Sequence, residues 1–186
     1  MKKFELTTEF ITNAFGKKLF RIIALVEFGD VKAGELGGYV EKEENVSQDG
    51  NAWVSGDARV YGNAWVNGNA KVYGNAEVYG DTWVSGDAKV YGNAWVSGDA
   101  RVSGNAWVYG DADYALVQGF GTEFRCTTFY RGKNKKIMVN CGCFHGDLEG
   151  FRKQVKETRN GKIAKEYLMI ADLMEYHFTS EDSSDE

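Results

Sequence analysis

A six-residue unit written over and over without insertion limits this chain more than any other feature. From Asn51 to Leu116 the sequence runs as eleven consecutive units: NAWVSG, DARVYG, NAWVNG, NAKVYG, NAEVYG, DTWVSG, DAKVYG, NAWVSG, DARVSG, NAWVYG and a decaying DADYAL. Position 1 is Asn or Asp, position 2 is Ala (Thr82 once), position 4 is Val (Tyr114 in the last unit) and position 6 is Gly until the end. Positions 2 and 4 alternate with a variable position 3, the period of a short strand with Ala and Val facing inward and position 3 facing out. Gly followed by Asn or Asp supplies the residues that best tolerate positive φ, so the spacing predicts a corner after each strand. Strands this short, in such strict phase, do not make a hairpin meander. They predict a parallel β-helix in which each strand stacks on the one a full coil earlier, at ~4.8 Å.

The outward residues predict the coil length. If three units (18 residues) close one triangular coil, Tyr73, Tyr91 and Tyr109 share one face, Tyr61 and Tyr79 a second, and Asn67, Ser85 and Ser103 the third. The same step sets Arg59 beside Glu77 and Trp65 beside Trp83, an opposite-charge pair and an aromatic pair. A 12-residue coil would mix Tyr with Ser and Asn on both faces. Three units per coil give about 3.7 coils and a prism roughly 18 Å tall.

Composition agrees with a packed chain. Of 186 residues, 43% are hydrophobic and 14% aromatic, enough to bury a core. The 23 Gly with no Pro exclude collagen and proline-rich linkers. The absence of an 18-residue apolar run or a charged-then-apolar leader, with an odd count of three Cys, predicts a soluble cytoplasmic protein with no membrane partner and no disulfide framework. Charge is uneven: −5 over residues 1–116, +4 over 117–178 and −4 over 179–186.

The order Val-x-Gly-(Asn/Asp)-Ala-x, repeated in register, resembles the hexapeptide repeat of left-handed parallel β-helix proteins. That resemblance implies a triangular left-handed helix, often assembled as trimers, in a superfamily best known for acyltransferases. Residues 28–50, with Leu36-Gly37-Gly38-Tyr39-Val40-Glu41 and Glu44-Asn45-Val46-Ser47, resemble the lead-in of uncharacterised bacterial and bacteriophage hexapeptide proteins. The stretch from Cys141 to Phe151 resembles a small domain of phage proteins.

The flanks complete the organisation. Residues 1–50 read as an N-terminal β-hairpin cap, turning at 14–18, and a lead-in; 51–116 as the β-helix; 117–178 as a ββαα module; and 179–186 as a disordered acidic tail. In the module, strands over 123–130 and 136–141 precede a helix N-capped by Asp147 and carrying Leu148, Phe151 and Val155. A second helix carries Ile163, Tyr167, Ile170, Ala171 and Met174.

Candidate chemistry lies at four places. Acyl transfer needs a histidine base, yet residues 1–144 contain no His, leaving His145 as the candidate. Cys141, Cys143 and His145 are spaced C-x-C-x-H, and a hairpin folded about 133–134 would place Cys126 opposite Cys141, a set suited to structural zinc or to inert thiols on a half-buried strand end. Arg125, Arg131, Lys133, Lys135 and Lys136, with Phe129 and Tyr130 between them, could hold an anionic ligand, or simply keep an exposed turn soluble. The acidic chain speaks against sequence-specific DNA reading; a small nucleotide between subunits with Tyr and Trp walls fits better. Finally, Trp53, Trp65, Trp83, Trp95 and Trp107 occupy position 3, and Tyr73, Tyr91 and Tyr109 stack nearby, predicting contact with sister subunits or another protein.

No nucleophile–base pair, phosphate loop or open catalytic metal position is evident, so the expected function is a non-catalytic binding scaffold with no catalytic residues, assembled as a homotrimer. The phage-like flanks imply a bacteriophage accessory protein that inhibits a host defence system by holding its effector or a nucleotide signal. A hexapeptide-type acyltransferase and a virion or polymer-forming component are the alternatives.

Overall fold

A computed structural model describes residues 1–124 and 126–179. The chain divides after Asp111 into two compact units. In the first, β1 (Phe4–Thr12), β2 (Lys18–Ala24) and β3 (Leu36–Val40) precede ten two-residue strands. These are β4 (Trp53–Val54), β5 (Arg59–Val60), β6 (Trp65–Val66), β7 (Lys71–Val72), β8 (Glu77–Val78), β9 (Trp83–Val84), β10 (Lys89–Val90), β11 (Trp95–Val96), β12 (Arg101–Val102) and β13 (Trp107–Val108). Every third strand stacks in parallel, forming three walls: β4-β7-β10-β13, β3-β5-β8-β11 and β6-β9-β12. Pairs such as Trp53↔Lys71, Arg59↔Glu77 and Trp65↔Trp83 are 18 residues apart, so three units close each coil.

The inward Ala and Val fill the coil completely: Val54, Val72, Val90 and Val108, for example, are fully buried on one wall. Each such valine contributes about 1.5–3 kcal/mol of transfer free energy. Thr82 replaces Ala without an orphaned hydroxyl, since its Oγ1 donates to Tyr79 O at 2.7 Å.

The corners divide their labour in a way the repeat pattern does not predict. Positive φ falls on glycine alone: Gly86 has φ +68°, and a Cβ there would lie 2.9 Å from Gly104 N on the next coil. None of the Asn or Asp residues at position 1 has positive φ. Their side chains instead hydrogen-bond down the stack, as Asn51 Nδ2 donates to Asn69 Oδ1 at 2.9 Å and Asn69 Nδ2 to Asp87 Oδ1 at 3.0 Å. Asn can both accept and donate, whereas Asp only accepts, so Asp87 ends that run of donors.

The N-terminal residues satisfy the first coil, whose carbonyls would otherwise lack donors. Residues 28–50 themselves join the solenoid at a 20-residue offset, Val40↔Val60 and Val46↔Val66. Tyr39 and Glu41 N–H donate to Ala58 and Val60 O at 2.9 and 3.1 Å. On the second wall reached, Asn45 Nδ2 donates to Ala64 O at 2.8 Å and Gly62 O at 3.2 Å. On the third, the buried Lys3 ammonium donates to Ala52 O at 2.9 Å and Gly50 O at 3.4 Å. Burial lowers the Lys3 pKa to about 8, with Asp49 opposing the shift. The hairpin β1–β2 pairs with β3 and so extends one wall as an antiparallel edge.

The second unit carries four strands where the sequence suggests two. The final unit of the repeat leaves the solenoid: Asp111–Asp113 form a 3-10 turn and β14 (Tyr114–Val117) pairs antiparallel with β15 (Thr127–Arg131). Then β16 (Ile137–Cys141) and β17 (Phe144–Asp147) complete the order β14-β15-β16-β17. A two-residue link, with Gly142 at φ +60°, joins the last two strands and turns a stretch expected to lead into the helix. Two helices follow, α1 (Leu148–Thr158) and α2 (Gly161–Thr179). Asp147 caps α1 as its spacing predicts, accepting from Gly150 N at 2.9 Å. Phe129, Val139, Phe151, Val155, Ala171 and Phe178 form the core between sheet and helices. The acidic tail beyond Thr179, and Arg125, lie outside the described residues. Among the described residues no helix is long and apolar enough to cross a membrane.

Candidate functional site

Outward side chains at positions 3 and 5 convert the stacked backbone into ladders. Tyr61 and Tyr79 stack with centroids 5.0 Å apart and planes 3° apart; Tyr73 and Tyr91 do so at 5.0 Å and 11°. Tyr109 continues the second ladder edge-on, 5.2 Å from Tyr91. Trp65 and Trp83 meet at 5.2 Å, nearly perpendicular, and the Arg101 guanidinium lies 5.1 Å from the Trp83 ring. Arg59 pairs with Glu77 at 2.8 Å, and the Tyr61 hydroxyl donates to the same carboxylate at 3.1 Å. Burial, then the Glu77 charge, raises the Tyr61 pKa.

The five tryptophans are not equivalent, although all occupy position 3. Trp53 is only 3% exposed, because Phe4 and Phe28 pack edge-on against it at 6.1 and 5.4 Å. It belongs to the interior made by the N-terminal residues, not to a docking surface. Trp65 and Trp107 are half-buried, the latter beneath the Lys89 ammonium at 5.2 Å. Trp83 and Trp95 remain 44% and 54% exposed, and Tyr109 60%.

Beside Trp53 the wall bears a groove of about 290 Å³ between the loop carrying Asp30 and Glu35 and the rungs carrying Lys71, Tyr73 and Lys89. Lys71 and Lys89 are direct register partners, two like charges stacked on adjacent rungs. Asp30 pairs with Lys71, and that hydrogen bond holds its carboxyl below the usual range. Burial and Tyr91 raise the Tyr73 pKa. The indole N–H of Trp53 is buried with no hydrogen-bond partner. The lysine ladder is readable from the 18-residue step; the approach of Asp30 is not, since no periodicity links it to the wall.

The cysteine set of the second unit does not meet as its spacing suggests. Thr127, not Cys126, lies opposite Cys141, and its Oγ1 donates to Cys141 Sγ at 3.1 Å. Cys143 and His145 are exposed, and Cys126 is half-buried. Among the described residues no three His, Cys, Asp or Glu side chains gather as metal ligands. Cys141 and Cys143 instead line a small cleft of about 80 Å³ with Phe144, Phe151 and Tyr167. Of the cation set, Arg131 pairs with Asp113 at 2.8 Å and lies over the Phe178 ring, while Lys136 reaches Asp147 at 3.6 Å. Lys133 and Lys135 stay on the exposed turn.

With these ladders in view, two stretches, residues 52–68 and 94–110, match the family described as YdcK Beta solenoid repeat. The chain is a β-solenoid repeat protein. Both matched stretches lie among the hexads, each close to one coil, and the match does not extend to the second unit. No curated protein matches the chain.

Proposed function

We propose that this β-solenoid protein is a non-catalytic binding scaffold whose walls dock protein surfaces. The exposure of Trp83, Trp95 and Tyr109 carries this reading. These rings sit on rungs locked by stacked backbone hydrogen bonds, so they lose little freedom on binding, and buried aromatic anchors dominate interface energies. A homotrimer formed through the walls is the self-assembled form of this reading. Native mass spectrometry of protein taken from expressing cells tests it: three chains together, or one chain with a captured protein, is expected. Trp83→Ala and Trp95→Ala together should release that complex. A lone chain, unaffected by either substitution, would refute the reading. The resemblance of the flanks supports placing the scaffold in a bacteriophage, holding a host defence effector. Phage plating on a defended host should rise with this chain and fall again with the Trp double variant.

A second reading, a small anionic ligand such as a nucleotide in the groove, is supported by the Lys71/Lys89 ladder beside Tyr73 and the unpartnered Trp53 N–H. Titration with adenosine monophosphate should change Trp fluorescence in the wild type and not in Lys89→Ala; no change in the wild type removes this reading.

A further inference from the structure

The groove beside Trp53 holds more hydrogen-bond donors than acceptors. Lys71 and Lys89 stack on adjacent rungs, ~4.8 Å apart along the wall. Lys71 is paired with the Asp30 carboxylate. Lys89 lies over the Trp107 ring at 5.2 Å, and no ion pair holds it among the described residues. The Trp53 side chain is buried and its indole N–H has no acceptor. Glu35 also lines the groove, but its carboxylate accepts from the Lys32 backbone N–H at 3.1 Å. One carboxylate therefore faces two ammonium groups, and a group that answers both carries more than one negative charge and several acceptor oxygens. A terminal phosphate has that chemistry.

Asp30 is mounted so that it can give way. It sits with Gly29, at φ +55°, in a two-residue turn whose flanks Phe28 and Val31 exchange backbone hydrogen bonds at 3.1 and 2.9 Å. Phe28 packs edge-on against Trp53 at 5.4 Å and Val31 is buried, so the backbone of the turn is pinned. The Asp30 side chain is nonetheless 72% exposed. It turns about two torsions, so its carboxylate leaves Lys71 for water without backbone movement. An exposed ion pair of this kind holds weakly.

We propose that the Asp30 carboxylate occupies the place of a ligand's terminal phosphate, which on entering the groove displaces it from Lys71 and bridges Lys71 and Lys89. Asp30 is thereby the residue that sets the affinity of the groove. The proposal rests on the anionic-ligand reading above. Displacement is favoured over coexistence because a phosphate set beside a retained carboxylate repels it, whereas the freed carboxylate is solvated at once.

Calorimetric titration of the full chain with adenosine monophosphate and with adenosine tests it. Asp30→Asn keeps the shape of the side chain and removes its charge. It should tighten adenosine monophosphate about two- to five-fold, the equivalent of one exposed ion pair. Adenosine, lacking the phosphate, should bind no tighter to this variant than to the wild type. Glu35→Gln removes the same charge from the same groove without freeing Lys71, and should tighten adenosine monophosphate less. The unmodified chain supplies an independent readout by carboxyl NMR. The hydrogen bond from Lys71 holds the Asp30 carboxyl below its usual range, and saturation with adenosine monophosphate should raise it as that bond is lost. Unchanged or weaker binding in Asp30→Asn, with the wild type still binding, overturns the swap and leaves the anionic-ligand reading standing. Equal gains at positions 30 and 35, a gain for adenosine, or an Asp30 carboxyl that does not rise overturn it in the same way. An absence of binding in the wild type removes that reading and the swap together.

Discussion

Replacing Gly86 by Ala should separate the two reasons that corner needs glycine. An L-residue held at φ +68° costs about 1–2 kcal/mol. The new Cβ would also sit 2.9 Å from Gly104 N, backbone that cannot move without shifting the next coil. Overpacking of that kind adds about 1–3 kcal/mol. Gly16→Ala supplies the conformational cost alone, because φ there is +76° and no atom lies within 4 Å of the added Cβ. Gly110→Ala supplies neither, having open space and no positive φ, and should stabilise by about 0.4–1 kcal/mol through the unfolded chain. Urea unfolding followed by tryptophan fluorescence reads the solenoid selectively, since all five Trp lie between residues 53 and 107. The expected order of loss is Gly86→Ala well above Gly16→Ala, with Gly110→Ala at or above wild type. Equal losses at positions 86 and 16 would refute the close stacking of corners. No loss at either would refute the left-handed backbone at both.

Further tests address the ladders, the cap and the walls. Asn69→Asp removes the donor to Asp87 and stacks two carboxylates, so it should cost about 1–3 kcal/mol at neutral pH, and acidification into the carboxylate range should recover part of the loss in a denaturation series. Lys3, with its pKa lowered to about 8 by burial, releases its proton in the fold before the unfolded chain does near 10.5. The unfolded state therefore binds more protons in that window, and stability should rise with pH from about 8 towards 10 relative to Lys3→Met; a flat difference between the two would contradict the burial. Trp53→Ala should cost about 3–5 kcal/mol, as a truncation in a packed interior does, whereas Trp95→Ala should stay within about 0.5 kcal/mol, both read by thermal unfolding.

Several features of the site were legible because they repeat. The 18-residue step alone places Arg59 on Glu77, Tyr73 on Tyr91 and Lys71 on Lys89, since a wall is only the sequence read at that interval. The role of Asn at position 1 was misread for a local reason. Both a corner conformation and a side-chain ladder select Asn and Asp, and only the backbone angles separate them. The decaying eleventh unit shows the limit of pattern reading. DADYAL keeps Asp and Ala at positions 1 and 2 but loses Val and Gly, so no inward valine or left-handed corner holds it to the coil, and Tyr114 pairs with Tyr130 instead. The cysteine set failed by one residue of register, enough to put Thr127 opposite Cys141.

By itself the sequence determined the solenoid, its coil length and its stacked ladders, because alternation and glycine punctuation act within six residues and recur unchanged. Tertiary structure decided which of those outward residues meet water. Phe4 and Phe28 close over Trp53, Asp30 reaches Lys71, and Asp113 takes up Arg131, all contacts between segments that no repeat connects. The physical reason is that a periodic pattern specifies a surface only up to what folds back upon it, and here that is supplied by the parts of the chain that do not repeat.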